Sequence, residues 1–224
     1  NNYNNKQMQK KIILKGMGEL DLQEYCTNLN FPKFHGMQLF RWLYKNNYQN
    51  IEKMNNIPKS LKNEINENAL IQLLSIKVKS KSKIDNTTKF LLKTNDGKYI
   101  ETVSMVEKNR HTVCLSSQIG CNVDCDFCAT GKMGIVRNLK TGEIIDQLII
   151  VKENVKKPVT NIVFMGMGEP FLNYNNVIKS CEILCNHNGF NIGTKRITIS
   201  TSGILPKIDL YIKEKHKYKV AISL

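Results

Sequence analysis

Residues 161–170 read Asn161-Ile162-Val163-Phe164-Met165-Gly166-Met167-Gly168-Glu169-Pro170. The first half of this stretch, Asn161 to Met165, is a near-continuous apolar run, which is what a strand carries when both its faces are covered, as in a parallel sheet flanked by helices. It stops at two glycines, an acid and a proline, which bare the backbone and bend it. Working outward, the same unit recurs. Asn175 or Asn176 starts a helix that runs to about residue 186, and Arg196-Ile197-Thr198-Ile199 is a strand ending in Ser200-Thr201-Ser202-Gly203. A helix over residues 206–213 precedes a last strand at Val220-Ala221-Ile222. Upstream, Thr141 can cap a helix over residues 142–153 with Glu143 in its first turn. Before it, residues 111–118 form a strand that feeds a cysteine-rich loop. Strands alternating with helices, each strand followed by a polar or glycine-rich segment, predict an α/β fold. The expected form is a partial β/α barrel with its site at the C-terminal strand ends. The cysteine loop, Gly168, Glu169, Ser200 and Ser223 then meet at one rim.

The loop itself is Cys121-Asn122-Val123-Asp124-Cys125-Asp126-Phe127-Cys128, preceded by Gly120. Its Asn, Asp and Gly residues favour a turn over a packed stripe. A structural zinc asks for four ligands, whereas a cubane cluster takes one thiolate per iron. Three thiols therefore suggest a four-iron cluster with one iron left open. The spacing resembles the signature of the radical S-adenosylmethionine (SAM) enzymes, in which the open iron holds the amino and carboxyl groups of SAM. On that resemblance, Gly166 and Gly168 let a ligand approach the chain, Glu169 takes the methionine ammonium, and Ser200 bonds a ribose or carboxylate oxygen. Met165 and Met167 are read as packing residues. Cys181 and Cys185, four apart in a helical stretch, are read as core.

The chain has 224 residues with 33 Lys and Arg against 19 Asp and Glu, a formal net charge of +14. A protein this basic suits a polyanionic partner, with nucleic acid the default. Residues 1–100 carry 17 basic and 8 acidic side chains, a net of +9. An Asn- and Lys-rich composition, as in an AT-rich genome, supplies some of that excess without selection for RNA. No stretch is long and apolar enough to cross a bilayer, and the seven cysteines do not form a secreted disulfide framework. The absence of an initial methionine and the stop inside a strand at residues 219–224 lead us to expect a fragment.

Residues 1–75 read as a small helical domain. Helices are expected over residues 20–29, over residues 36–45 with Met37, Phe40, Leu43 and Tyr44 on one face, and from Pro58 with Leu61 and Ile65 inward. Trp42 is read as a core aromatic in preference to a base-stacking residue. Residues 76–106 read as a β-rich linker, in which Lys77, Lys79, Lys81 and Lys83 make a basic edge. Two strands, 89–93 and 98–105, are joined at Asn95-Asp96-Gly97, a hairpin signal. Residues 107–224 are the core, incomplete at its C-terminus.

Taken together, the runs Cys114-Leu-Ser-Ser-Gln-Ile-Gly-Cys121, Cys121 to Cys128 with Ala-Thr-Gly after it, and Met165-Gly-Met-Gly-Glu-Pro170 resemble the RlmN family of radical SAM adenine-C2 RNA methyltransferases. Arg196-Ile-Thr-Ile-Ser-Thr-Ser-Gly203 and Val220-Ala-Ile-Ser-Leu224 are similar to that family too. The resemblance implies that Cys121, Cys125 and Cys128 ligate one [4Fe-4S] cluster, and that Gly168, Glu169, Ser200, Ser223 and Leu224 line the SAM site. It also implies that Glu101 accepts a proton and that Cys114 is one of a catalytic cysteine pair. Adenine C2–H is not nucleophilic, so family members use two SAM per turnover. One SAM methylates a cysteine beyond the end of this chain. In the family the other generates the radical that activates that methyl group, and the resemblance implies that Cys114 releases the RNA by forming a disulfide. Implied partners are large-subunit rRNA, in some members tRNA beside the anticodon, and a flavodoxin- or ferredoxin-type reductant. A monomer without membrane association is expected, in the bacterial cytoplasm or in a eukaryotic organelle. The rival readings are an adenosine-C8 RNA methyltransferase of the antibiotic-resistance type, an RNA-binding protein with a structural iron–sulfur cluster, and a zinc-binding RNA module.

Overall fold

The computed structural model describes residues 11–47, 50–123, 125, 126 and 128–223. Strand β1 (Ile12–Ile13) leads into helices α1 (Glu19–Asn28), α2 (Phe34–Tyr44) and α3 (Lys59–Asn68). The predicted helices are all present, with ends shifted by one or two residues. Helix α1 starts one residue earlier than expected because the Asp21 carboxylate accepts the Gly18 N–H at 2.8 Å, satisfying a donor at the helix start. Leu39, Phe40, Leu43, Tyr44, Leu61 and Ile65 fill the core of this unit. Trp42 packs against that core, and its Nε1–H donates to the Asn56 side chain at 2.5 Å. Strand β2 (Ala69–Leu70) closes the unit by pairing in parallel with β1.

Next come β3 (Leu74–Lys81), β4 (Thr87–Thr94) and β5 (Tyr99–Val106), the last two joined at the expected hairpin turn. They are followed by β6 (His111–Cys114), β7 (Gln118–Gly120), β8 (Ile135–Asn138), α4 (Thr141–Asn154), β9 (Asn161–Phe164), α5 (Tyr174–Cys185), β10 (Ile197–Thr201), α6 (Leu205–Lys213) and β11 (Lys219–Ile222). Seven strands form one sheet in the order β11-β10-β9-β6-β5-β4-β3. Its half from β6 to β11 is parallel, as the βα alternation predicts, and β3 to β5 continue it antiparallel. The segment expected as a linker is thus hydrogen-bonded into the core sheet.

Within that segment β3 is the sheet edge. Lys79 turns toward α4, where its ammonium bonds the Asn154 carbonyl and side chain and lies over the Phe90 ring. A cation there complements the C-terminal end of a helix dipole. A β-bulge between Ile76 and Val78 breaks the alternation at Lys77.

Helix α4 is the centre of the molecule. Every residue from Thr141 to Val151 is buried, because the sheet covers one side and the N-terminal unit the other. A helix enclosed all round shows no clean amphipathic stripe. Each of its buried Ile, Leu and Val side chains contributes about 1.5–3 kcal/mol. Two contacts hold the N-terminal unit against it. A Cβ on Gly16 would run into the backbone of Gly142, and one on Gly142 would meet the Lys15 carbonyl. The Lys15 ammonium lies 3.4 Å from the Asp146 carboxylate, and both side chains are fully buried. Thr141 is not the cap expected for this helix. Lys140 holds that position, the Glu143 carboxylate accepts its N–H at 2.8 Å, and Thr141 bonds the Asn176 side chain instead. Helix α5 likewise begins at Tyr174, because a 3-10 turn over Pro170–Asn173 delivers the chain to it and occupies Asn176 with Asn173 and Thr141.

Candidate active site

The cysteine loop is the tip of a hairpin. Strands β7 and β8, a pair the sequence reading did not foresee, are antiparallel and bracket it, with an irregularity between Ile119 and Gly120. Gly120 has φ +76°, a left-handed conformation that glycine adopts without strain. Arg137 on β8 anchors the hairpin from outside. Its guanidinium bonds the Asp96 carboxylate at the β4–β5 turn and the Glu143 carboxylate at the start of α4, at 2.8 to 2.9 Å. The Arg137 guanidinium holds the Asp96 carboxyl well below the usual carboxylate range.

Residues 115–118, leaving β6, form a cradle for the loop that follows β9. The Gly166 N–H donates to the Leu115 carbonyl at 3.1 Å, and the Met167 carbonyl accepts the N–H groups of Ser117 and Gln118. The Glu169 N–H donates to the Gln118 side-chain carbonyl at 2.8 Å. Gly168, at φ +93°, lies so close to Gln118 that a Cβ would collide with its side chain. The Glu169 carboxylate is nearly buried. One of its oxygens accepts the Phe171 N–H at 2.9 Å and the other the Ser202 N–H at 2.8 Å. It therefore holds the ends of β9 and β10 together, and each oxygen keeps a further lone pair free for a donor. At the neighbouring strand ends, Ser200 Oγ and Ser223 Oγ are 2.9 Å apart.

A cavity of about 260 Å³ lies between the cysteine hairpin and these strand ends. Cys121, Cys125, Cys128, Gly168, Glu169, Ser200 and Ser223 all border it. Met165 borders it too and is 51% exposed, so it is a cavity-wall residue and not the packing residue expected; Met167, at 8%, is packed. Leu224 lies outside the described residues.

Glu101 and Cys114 are not among the residues bordering that cavity. In the pairing of β5 with β6, Cys114 stands opposite Val103, two residues from Glu101, and opposite Val163 on the other side. Strand alternation thus puts Glu101, Cys114 and Ser200 on one face of the sheet. Glu101 is partly exposed and ion-paired with Lys89 at 2.9 Å. Cys114 is 9% exposed, and burial pushes its thiol up to about 11, with a hydrogen bond from the Met165 backbone opposing the shift. All seven cysteines are free, and no disulfide joins Cys114 to another cysteine of this chain. Cys181 is fully buried and Cys185 partly so, in helix α5, which suits their reading as core.

Among the described residues, no three His, Cys, Asp or Glu side chains stand close enough together to hold a single metal ion. The three loop thiols all border the cavity described above. Three thiols on one cavity fit a cubane cluster that takes one thiolate per iron and leaves one iron open. The facing wall offers glycine backbone, a carboxylate and two hydroxyls, a donor and acceptor set suited to an amino acid-bearing cofactor.

An open α/β sheet with a three-cysteine loop facing a Gly-Met-Gly-Glu turn defines a radical SAM protein. The radical SAM superfamily model matches residues 115–224, and the model of the ribosomal RNA large subunit methyltransferase N-terminal domain matches residues 12–71. The chain belongs to the RlmN family. It is 45% identical over 199 residues to a probable dual-specificity RNA methyltransferase RlmN of Clostridioides difficile (strain 630), covering 89% of this chain and 58% of that protein. The corresponding protein of Thermotoga maritima is 42% identical over 214 residues, covering 94% and 62%. A crystal structure of a radical SAM methyltransferase from Sphaerobacter thermophilus superposes with a TM-score of 0.90 at 37% identity, covering 95% of this chain and 63% of that one. The chain thus spans about three fifths of the length of these relatives. No helix among the described residues is long and apolar enough to cross a membrane.

Sequence reasoning missed the scaffold of the site: Ser116, Gln118 and Asn173 beneath the cofactor-side loop, Gln147 on α4, and Arg137 behind the cysteine hairpin. A polar Ser-Ser-Gln run straight after a buried strand was the available signal for the first two. Nothing local marks Gln147 or Arg137, whose partners lie on other elements.

Proposed function

We propose that the protein to which this chain belongs methylates C2 of an adenosine in large-subunit ribosomal RNA, and of an adenosine beside the anticodon in tRNA. The observation that carries this reading is the single cavity bordered by the three loop thiols on one side and by Gly168, Glu169, Ser200 and Ser223 on the other. Cys121, Cys125 and Cys128 would hold a [4Fe-4S] cluster there, and the opposite wall, with Leu224, would hold SAM. When bound, these groups supply the one-electron chemistry that activates a methyl carbon for attack on a carbon that is not nucleophilic. An acidic flavodoxin- or ferredoxin-type protein would deliver the electron.

This chain's own side chains supply the proton and thiol steps. Glu101 accepts the C2 proton, which requires that RNA loosen its partly exposed pair with Lys89. Cys114 remains a neutral thiol near pH 7 because burial raises it. It is nucleophilic only as the thiolate, so its attack on the adduct requires that it first give up its proton. In this reading residues 1–75 help to hold RNA through their positive charge and residues 107–224 carry the cofactors. Residues 76–106 bring Glu101 to the core sheet. A substrate of this kind places the protein with ribosomes, in a cytoplasm or an organelle.

The test is product analysis. Full-length protein, reconstituted anaerobically with iron, sulfide, SAM and a reductant, is incubated with an rRNA fragment and with tRNA, and the nucleosides are separated by mass spectrometry. 2-Methyladenosine is expected. 8-Methyladenosine, or RNA bound but unmodified by a SAM-loaded cluster, would overturn the reading in favour of a C8 enzyme or a structural cluster protein.

A further inference from the structure

Ser116 is the residue at which the strand carrying Glu101 and the turn at residues 166–169 are joined. Its side chain is fully buried. Its Oγ–H donates to the Glu101 carbonyl at 2.6 Å, and the same oxygen accepts the Met167 N–H at 2.9 Å. A hydroxyl has one proton, and the Met167 partner is itself a donor, so the direction of both bonds is determined. The backbone of Ser116 is held as tightly. Gln147, buried on α4, accepts the Ser116 N–H at 2.8 Å and donates to the Ser116 carbonyl at 3.0 Å. The same Gln147 oxygen also accepts the Thr102 hydroxyl at 2.7 Å, which adds the residue after Glu101 to the clamp. There is no room to loosen the arrangement at its other end, since a Cβ on Gly166 would stand 2.7 Å from Ser116 Oγ. Buried networks in which every group is satisfied hold their members in one arrangement, because a lost partner leaves an unpaired polar group away from water.

We propose that Ser116, clamped by Gln147, is a positioning residue that registers the Glu101 strand against the 166–169 turn, so that SAM held by that turn and the proton acceptor for the RNA share one frame. The proposal rests on the function proposed above for its two ends. Filling the cavity orders the turn, and Ser116 passes that order to β5 through one oxygen atom. A serine that only supported the turn would have no bond to β5.

Hydrogen exchange in the full-length, cluster-loaded protein tests this without requiring methyl transfer. In the wild type, adding SAM should slow amide exchange in residues 166–169 and also in residues 100–104. In Ser116→Ala, the Met167 amide should exchange about tenfold faster, the factor that accompanies loss of one buried hydrogen bond. SAM should then protect residues 166–169 alone. The kinetic counterpart is a lower kcat with little change in KM for SAM, and RNA accumulating as an adduct that has not lost its C2 proton. If S116A does not fold, Ser116→Cys serves in its place. Its thiol is a weak donor and a weak acceptor, so it loosens the links to the Glu101 carbonyl and the Met167 N–H together, and a weakened response of residues 100–104 is expected. A wild-type protein in which SAM leaves residues 100–104 unchanged, or a variant in which both segments still respond together, would overturn the proposal. A wild type that shows coupled protection but yields no methylated RNA would overturn the proposed function and leave the coupling standing.

Discussion

Replacing Asp146 with Ala removes the carboxylate that faces Lys15 across 3.4 Å in a region where both side chains are fully buried. The same carboxylate accepts the Leu73 and Leu74 N–H groups at 2.5 and 3.2 Å. Lys15 lies on the entry to α1 and Leu73 and Leu74 on the entry to β3, so one side chain ties both ends of the N-terminal unit to α4. Among the described residues the Lys15 ammonium has no hydrogen-bond partner. Breaking a buried pair by removing one member costs about 3–5 kcal/mol, and an N–H deprived of its acceptor costs about 1–3 kcal/mol more. These terms overlap, because the cavity left by Ala can admit water, so a loss of roughly 4–6 kcal/mol is expected for D146A. That is a large share of the ~5–15 kcal/mol by which native proteins are stable.

Lys15→Met should differ in kind. Burial already pushes the Asp146 carboxyl upward, against the pull of Lys15 and the two N–H donors. Without the ammonium it escapes by taking up a proton. Its folded pKa then lies above the unfolded value, so the folded state binds more protons. The stability gained from that proton is fully present below the unfolded value and is lost as pH rises through the folded one. The deficit of K15M should therefore be smaller at pH 5 than at pH 7. Urea unfolding of the full-length protein, followed by far-UV circular dichroism at both pH values, measures all of this. A D146A loss below about 1 kcal/mol, the scale of an exposed pair, or a K15M deficit independent of pH, would refute the argument.

Replacing any one of Cys121, Cys125 or Cys128 with Ala should prevent cluster assembly, since one thiolate per iron is the normal provision. Iron and sulfide assays after anaerobic reconstitution check this, and wild-type amounts in C125A would contradict it. Cys114→Ala in the full-length enzyme should leave cluster content and SAM binding intact while RNA stays covalently attached to protein on denaturing gels; free methylated RNA would remove Cys114 from the releasing step. His111 is buried, with Nδ1 against the Lys157 carbonyl at 2.8 Å and Nε2 against the Ser104 hydroxyl at 2.8 Å. Burial lowers its pKa below the usual 6.5, so its contribution to stability is complete above that value and is lost as pH falls through the folded pKa. Urea midpoints should therefore fall from pH 7 toward pH 5 in the wild type, and less steeply in His111→Gln.

The sequence was most informative where chemistry and periodicity are local. The thiol spacing of Cys121, Cys125 and Cys128, the Gly-Met-Gly-Glu turn, the Asn95-Asp96-Gly97 hairpin and the βα alternation are all written within short windows, where turn chemistry and strand burial leave direct marks. The ends of α4 and α5 were less legible, because the hydroxyl of Thr141 and the amide of Asn176 found each other across space before either could cap its own helix. The lysines of β3 read as a basic edge and β3 is the edge strand, but the bulge beside Lys77 and the contact of Lys79 with the end of α4 left no mark in the alternation.

By itself, then, the sequence determined the class of fold, the donor set and the residues able to border a cofactor, since each depends on residue type and spacing along the chain. Only the tertiary structure decided that β3 to β5 extend the parallel sheet. It also decided that α4 is enclosed on all sides, and that Ser116 Oγ touches the strand of Glu101 and the turn at Met167 at once. Those facts depend on pairings between residues 15 to 131 positions apart, such as Ser116 with Glu101, Lys15 with Asp146 and Ser116 with Met167. A buried hydrogen bond or ion pair is worth having only when both partners arrive desolvated at the same point, and nothing in either partner's own stretch of chain records where the other will be.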